Sequence, residues 1–376
     1  MKIVHVGYSH RPDDIRIFQK ECASLSRYGH QVIYVTSNMN AKSVNVSNDS
    51  VKVITVKLQR TNKKLPFLLY CREIKRVLSS LDADIYHFHE VVLLSVLLYM
   101  RKQGKHVIYD MHEDSPRDMQ PSLCRRRGKV LGTLLARIIE IYENYCIRKA
   151  DYVITATPYI EKRCKRLTST VCCIANYPII NKISNESCRE VAGNIVKASQ
   201  ICYCGSLTED RNISMYVRMM SYINGKLLLA GLLDDSYKRE LENIESWDKV
   251  EYLGYLDRAG VNRLYRESDV GLCILKNLPN TYYSLPIKLF EYMEAGLPIV
   301  CSDFPIWRDI VEGNRCGIAV PYNDIGAAVK AVQKILKHPE IATQMGKNGR
   351  NAIATKYNWQ TEEKKLFKVY EILKRN

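Results

Sequence analysis

Residues 2–37, KIVHVGYSHRPDDIRIFQKECASLSRYGHQVIYVTS, read as strand, loop, helix, strand. KIVHVGY is a short apolar run closed by Gly7, and SHRPDD is a polar loop. Ile17, Cys22 and Leu25 then recur on one face of a helical pattern that Gly29 stops, before the second apolar run QVIYVTS. The rhythm returns in VKVITVK (51–57), a helical stretch over 66–81, ADIYHFH (83–89), a helical stretch over 91–102 and KHVIYDMH (105–112). Short apolar strands alternating with helices predict a doubly wound α/β sheet of parallel strands, helices on both faces. Such sheets bind ligands beyond the carboxyl ends of their strands.

A long helix over about 126–149 and the strand DYVITATP (151–158) complete this series. The polar, aperiodic stretch 176–200 reads as an interdomain linker. A second alternating series follows: QICYCGSL (200–207), KLLLAGL (226–232), KVEYLGYL (249–256), DVGLCIL (269–275), a helix over 284–295, PIVCSD (298–303) and GIAVPY (317–322). The chain, at 376 residues, exceeds the size of a single core. Two Rossmann-like domains are therefore expected, 1–180 and 181–356, with a closing helix over about 357–376 packing back on the first.

Apolar residues make up 46% of the chain and are spread throughout, which excludes a disordered protein. No apolar run is long enough to cross a bilayer, and the first residues lack a signal-peptide pattern, so a cytoplasmic location is expected. Thirteen cysteines without a C-x-x-C pair read as free thiols rather than disulfides or a zinc site. Of the net charge of +16, residues 1–180 carry +13 (29 basic, 16 acidic) and the remainder +3 (27 basic, 24 acidic). The first half is thus expected to meet something acidic: an anionic membrane, a phosphorylated acceptor or nucleic acid.

Two segments carry chemistry. Gly205 closes the strand ICYCG, and Ser206 and Arg211 follow where a diphosphate can rest against a strand-to-helix turn. In YSLPIKLFEYMEAGLP (283–298), Pro286 opens a helix and leaves Ser284 near its N-cap, with Lys288 and Glu291 one turn apart. Lys288 can neutralise phosphates and Glu291 can accept from ribose hydroxyls. The competing reading of that pair is a solvated salt bridge on a surface helix.

The ordered set DDIRIF, SLSRYGHQV, IYDMHE, ADYVITAT, ANYP, YCGSLTEDR, VEYLGYL, SDVGLCIL and SLPIKLFEYMEAGLPIVCSD with GIAV resembles the family 4 glycosyltransferases along nearly the whole chain. The resemblance implies a GT-B fold, two Rossmann-like domains facing a central cleft, and a retaining enzyme that uses a nucleotide-sugar donor. It implies Arg211 and Lys288 on the donor diphosphate, Glu291 on the ribose, and the backbone of Gly254, Tyr255 and Leu256 against the base. It also implies Gly7 near the diphosphate and His112 facing the transferred sugar. His87 and His89 compete with His112 for that role. Asp14 and Arg16 are either a capping pair or acceptor contacts, and Glu113 is an acceptor-side candidate.

The chain departs from the family's E-x7-E motif, because Tyr283 stands where the first Glu belongs. Asn277, Asn280, Thr281 and Ser284 are the nearby candidates for contacting the donor. Stabilising the leaving phosphate with cations and a helix N-terminus needs no metal, so neither a metal nor another cofactor is expected. Residues 123–150 combine a basic start with apolar positions at 131, 134, 135, 138 and 142, an amphipathic pattern suited to an anionic membrane or to a core-facing helix. A membrane hold fits a lipid-linked acceptor, as in surface polysaccharide assembly, with a saccharide acceptor also possible. Two other classes compete: a sugar-nucleotide epimerase of related architecture, and a nucleic-acid binder, for which aromatic-basic recognition modules are absent.

Overall fold

The structure is a computed structural model and describes residues 1–37, 51–56, 66–180 and 198–375. The chain forms two compact units, Met1–Asn176 with Trp359–Asn376, and Tyr177–Asn358. Of the expected linker over 176–200, residues 181–197 lie outside the described residues.

The first unit is built on β1 (Lys2–Val6), β2 (Gln31–Ser37), β3 (Val51–Val56), β4 (Ile85–Phe88), β5 (His106–Met111), β6 (Tyr152–Thr155) and β7 (Val171–Cys173), in the order β3-β2-β1-β4-β5-β6-β7. All pairs are parallel, with Val4 opposite Ile33 and Tyr86. β1, β4 and β5 read as near-continuous apolar runs because helices cover both faces. The second unit repeats the plan with β8 (Ser199–Cys204), β9 (Gly225–Ala230), β10 (Val250–Gly254), β11 (Val270–Cys273), β12 (Ile299–Ser302) and β13 (Gly317–Val320), in the order β10-β9-β8-β11-β12-β13. In each sheet the order reverses once, between β1 and β4 and between β8 and β11. Those two switch points are where doubly wound sheets hold ligands.

Two local features differ from the sequence reading. The first helix begins as a π-helix, Ile15–Cys22, before an α-turn, Ala23–Arg27. Its inward residues Ile17, Cys22 and Leu25 are buried as the spacing predicts. The wider turn also stacks residues five apart, so Arg16 and Glu21 meet on the face turned to the sheet, 3.2 Å apart. The helix expected over about 126–149 is present as Lys129–Lys149, and a separate helix, Ser115–Arg127, precedes it; Gly128, at φ +82°, breaks the run between them. The two pack backbone to backbone at Gly132, where a Cβ would lie 2.4 Å from the Cys124 nitrogen.

The closing helix Trp359–Arg375 belongs to the first unit. Trp359 Nε1 donates to Ser24 Oγ (2.9 Å), the Ala175 amide donates to Glu362 (2.9 Å), and Phe367 stacks on Tyr28 at 4.2 Å. The cysteines among the described residues are free thiols. No helix among the described residues is long and apolar enough to cross a membrane.

Candidate active site

The carboxyl edge of the second sheet is rimmed by glycine. Gly205 after β8, Gly231 after β9 and Gly254 at the end of β10 all have positive φ (+145°, +143° and +66°). They lie in contact: the Gly231 amide donates to the Gly254 carbonyl at 2.7 Å, and a Cβ on Gly231 would sit 1.8 Å from the Gly205 oxygen. A Cβ on Gly205 would meet Lys288 Nζ at 2.7 Å. The bare strand end is therefore what lets the Lys288 ammonium reach the switch point. There it donates to the Cys204 carbonyl and lies 4.7 Å from the centroid of the Tyr203 ring.

Arg211 comes from the short turn Glu209–Arg211, fixed by Asn212 in the left-handed conformation (φ +63°) with its side chain donating to the Tyr322 carbonyl at 2.7 Å. Among the described residues no carboxylate pairs with Arg211. Burial pushes the Cys273 thiol up to about 12, and the Lys288 and Arg211 charges both act against that rise. Both cations belong to the β8 end of the sheet: Lys288 donates to the Cys204 carbonyl, and Arg211 lies in the turn that follows the same strand.

Lys288 and Glu291 share a helix face but do not pair with each other among the described residues. Glu291 instead accepts from Arg258 and, at 3.0 Å, from the Tyr265 hydroxyl. Burial, then the Glu291 charge, raises the Tyr265 hydroxyl pKa and keeps it a donor. The surface salt bridge that spacing alone allows is thus not what this pair forms. The helix runs Ile287–Ala295 with Pro286 as its cap and no capping side chain; the Leu289 amide donates to the Pro286 carbonyl at 3.1 Å, which leaves the Ile287 and Lys288 amides for an anion.

Two expected donor contacts are spent elsewhere. Ser284 is not a cap: its amide and hydroxyl both donate to the Thr281 carbonyl (3.1 and 2.9 Å). The Thr281 hydroxyl donates to the Lys276 carbonyl at 2.5 Å and accepts from the Leu278 amide at 2.9 Å, so it closes its own loop. Asn280 lies in the turn Pro279–Tyr282, but its side chain is outside the described residues. Asn277 is exposed, and Tyr283 packs edge-on against Tyr282. Ser206 and Tyr255 are exposed and Leu256 is half-buried.

At the switch point of the first sheet, Gly7 donates to the Val35 carbonyl at 2.9 Å. The amides of Tyr8 and Ser9 that follow it are held by the Glu90 carboxylate, so an anion already occupies that turn. His112 follows β5, half-buried, with Nε2 3.1 Å from Asp110 Oδ2 and 3.2 Å from His89 Nδ1. His87 and His89 are buried and hydrogen-bonded, which removes them as competitors for an exposed role. Asp14 caps the first helix through the Ile17 amide (2.8 Å) and binds His10 Nδ1 (3.1 Å). Burial opposes its ionisation, yet these hydrogen bonds and the His10 charge hold it at about 2.

Arg16 is not an open acceptor contact. It is 5% exposed, grips both oxygens of Asp110 (2.9 and 3.0 Å from Nη2) and donates to the Ile174 carbonyl. Burial alone would raise the Asp110 pKa; the Arg16 guanidinium, with His112 and His89, instead holds it well below the carboxylate range. Glu21 goes the other way, raised by burial and the Asp110 charge, and its oxygens have no hydrogen-bond partner. Glu113 is exposed, and it and Asp114 add to burial in lifting Asp118 to about 7. The sequence reading missed Asp110, Glu21 and Asp118; the only local signal was Asp110 two residues before His112. Two groups could hold a metal by proximity, His5/Glu21/His87/His89 and His89/Asp110/His112. In the second, Arg16 already neutralises the carboxylate a cation would need.

The family model described as "Glycosyltransferase Family 4" matches residues 19–173, and "Glycosyl transferases group 1" matches 185–352. A phosphatidyl-myo-inositol mannosyltransferase of Mycobacterium leprae is 30% identical over 125 residues, 33% of this chain and 32% of that protein, so the match spans about a third of the relative's length. A sucrose-phosphate synthase of Thermosynechococcus elongatus superposes with a TM-score of 0.75 at 19% identity, covering 99% of this chain and 98% of that one. Anabaena HepE, solved in complex with UDP, superposes with a TM-score of 0.74 at 13% identity, covering 99% of this chain and 100% of that one. With one family model on each compact unit and the fold shared from end to end, the chain belongs to the family 4-like glycosyltransferases of the GT-B fold.

Proposed function

We propose that this protein is a retaining glycosyltransferase that moves a sugar from a nucleotide-diphosphate donor to a saccharide or lipid-linked acceptor. The observation that carries this is the seat of Lys288 on the Cys204 carbonyl at the end of β8, beside glycine strand ends and a helix without a capping side chain, with Arg211 in the turn that follows the same strand. As the bond to the leaving diphosphate breaks, negative charge grows on its oxygens, and fixed cations and N–H groups are suited to receive it without a metal. Glu291 is the ribose ligand: Tyr265 holds one oxygen, and the ribose hydroxyls replace the exposed Arg258 guanidinium on the other. His112 is the first unit's contact to the transferred sugar. The UDP bound by HepE makes a uridine nucleotide the first donor to test.

The acceptor side of this reading rests on the helix Lys129–Lys149. Its apolar residues Val130, Leu131, Leu134, Ile138, Ile141, Tyr142 and Tyr145 are exposed, whereas Gly132, Ala136, Glu143, Cys146 and Ile147 face inward. An apolar stripe turned to solvent, led by exposed Arg125, Arg126, Arg127 and Lys129, suits an anionic membrane surface. A peripheral position on the cytoplasmic face and a lipid-linked acceptor of surface polysaccharide assembly follow from it. The test of the donor reading is a thermal-shift screen of UDP-, GDP-, ADP- and CMP-sugars, since a bound donor raises the melting temperature by mass action. No shift with any of them at millimolar concentration overturns it.

A further inference from the structure

We propose that Asp110 fixes His112 as its Nε2–H tautomer, so that Nδ1 is the atom offered to an uncharged hydroxyl of the transferred sugar, and that a one-way file of hydrogen bonds from Tyr370 through His5 and His89 locks this arrangement from behind. The inference rests on the reading of His112 as the sugar-facing residue.

The assignment starts from Arg16. A guanidinium only donates, and Arg16 Nη2 lies 2.9 and 3.0 Å from the two oxygens of Asp110, so both oxygens accept. An ionised carboxylate has no proton to give. Each imidazole nitrogen within reach of Oδ2 must therefore carry one: Nε2 of His112 at 3.1 Å and Nδ1 of His89 at 3.3 Å. Those two nitrogens are themselves 3.2 Å apart, within hydrogen-bond reach of each other; the charged Asp110 oxygen is the stronger acceptor for both, so the two N–H groups turn to it rather than to one another.

A neutral imidazole has one proton, so His89 presents Nε2 as a lone pair. It lies 2.9 Å from His5 Nδ1, which donates. The two rings are 17° from parallel with centroids 5.1 Å apart, the edge-to-edge arrangement in which the proton lies in line between the nitrogens. His5 Nε2 is left as an acceptor for the Tyr370 hydroxyl at 3.3 Å, and the Tyr370 oxygen accepts from His87 Nδ1 at 2.7 Å. That leaves His87 Nε2 as a lone pair, and it is the nitrogen of that ring for which no hydrogen-bond partner exists. Glu21 stands 3.8 and 3.9 Å from the His5 and His89 nitrogens, outside hydrogen-bond reach.

One assignment thus serves all four rings, and it gives up only the 3.2 Å contact between His89 Nδ1 and His112 Nε2 as a hydrogen bond. At the outer end, His112 Nδ1 has no partner among the described residues, and His10 meets the ring edge-on at 5.1 Å. A lone pair fixed in that position accepts from a hydroxyl and disfavours a carboxylate or phosphate. Asp110 is a positioning residue, acting through His112. A metal would need lone pairs where this file needs protons, so the two arrangements exclude each other.

The test is long-range 1H–15N NMR of the full-length protein labelled at histidine, with His112→Asn identifying the His112 signals. The expected spectrum has His112 protonated at Nε2 and His5, His87 and His89 protonated at Nδ1. A proton on Nδ1 of His112, or a stoichiometric divalent metal whose removal by chelator changes these signals, overturns the proposal. Asp110→Asn should leave donor affinity within about threefold while lowering kcat by about 100-fold or more and mixing the His112 tautomers. Unchanged kcat in a folded variant also overturns it. Should that variant not fold, Tyr370→Phe removes a single hydroxyl: His5 should keep its Nδ1 proton, because His89 Nε2 still requires a donor, while the His5 Nε2 signal shifts on losing its own donor; a proton on His5 Nε2, or an Nε2 signal that does not move, refutes the file. If no donor supports transfer, the functional reading fails while the spectrum still decides the tautomers.

Discussion

Lys288→Met separates a donor-binding lysine from a structural one. The side chain is half-buried, without a carboxylate partner among the described residues, so its loss strands no buried counter-charge. What the fold loses is one hydrogen bond to the Cys204 carbonyl and the contact with the Tyr203 ring, together about 1–2 kcal/mol, part of which the methionine restores by packing. What the donor loses is a charge-assisted bond to a developing phosphate anion, about 3 kcal/mol in the transition state, or on the order of 100-fold in rate. The expected result is a small fall in melting temperature of the free protein, loss of the nucleotide-induced rise, and a kcat/KM down by about 100-fold. Steady-state kinetics and thermal shift on the same preparation read both. A variant that keeps the nucleotide shift, or one that loses stability and activity in proportion, refutes the reasoning.

Gly231→Ala places a Cβ 1.8 Å from the Gly205 oxygen at φ +143° and should cost at least about 3 kcal/mol of stability by denaturant titration, with donor binding weakened because Gly205 must move. Tyr265→Phe frees one oxygen of Glu291 and should raise the donor KM several-fold with little change in kcat, read by initial rates. The buried histidines give a pH dependence. Burial lowers the pKa of His5, His87 and His89, the last to about 4, so the unfolded chain binds more protons below the ordinary histidine value of 6.5. Stability should hold above pH 6.5 and fall as the pH drops toward 4, His89 alone accounting for on the order of 3 kcal/mol, and His89→Asn should flatten that slope in urea titrations. Leu134→Glu with Ile138→Glu should abolish binding to anionic vesicles without lowering the melting temperature, because both side chains are already exposed; sedimentation with liposomes checks it.

The alternation of apolar runs with helical stretches made both sheets legible, because fully covered parallel strands leave little to ambiguity. Gly205, Arg211, Lys288 and Glu291, the proposed donor contacts, could be picked out as candidates because they sit on or beside regular elements. The helix break at Gly128 was not legible, since an isolated glycine is compatible with a continuing helix until its φ is known. The outward turn of Leu131, Leu134 and Ile138 was equally hidden, because a periodic stripe says that one face is apolar and not which way it points.

By itself the sequence determined two doubly wound units, the glycine strand ends and the Lys288–Glu291 helix, all consequences of local periodicity and of which residue types tolerate which backbone. Tertiary structure alone decided the partners. Lys288 turns to Cys204 and Glu291 to Tyr265 rather than to each other, and Ser284 and Thr281 spend their hydroxyls on their own loop. The histidine file joins residues 5, 89, 110 and 370, brought together by parallel strand pairing, a π-turn and a returning C-terminal helix. Hydrogen-bond partnership depends on ångström-scale distance and direction, and residues far apart in the chain acquire these only when the sheet is assembled.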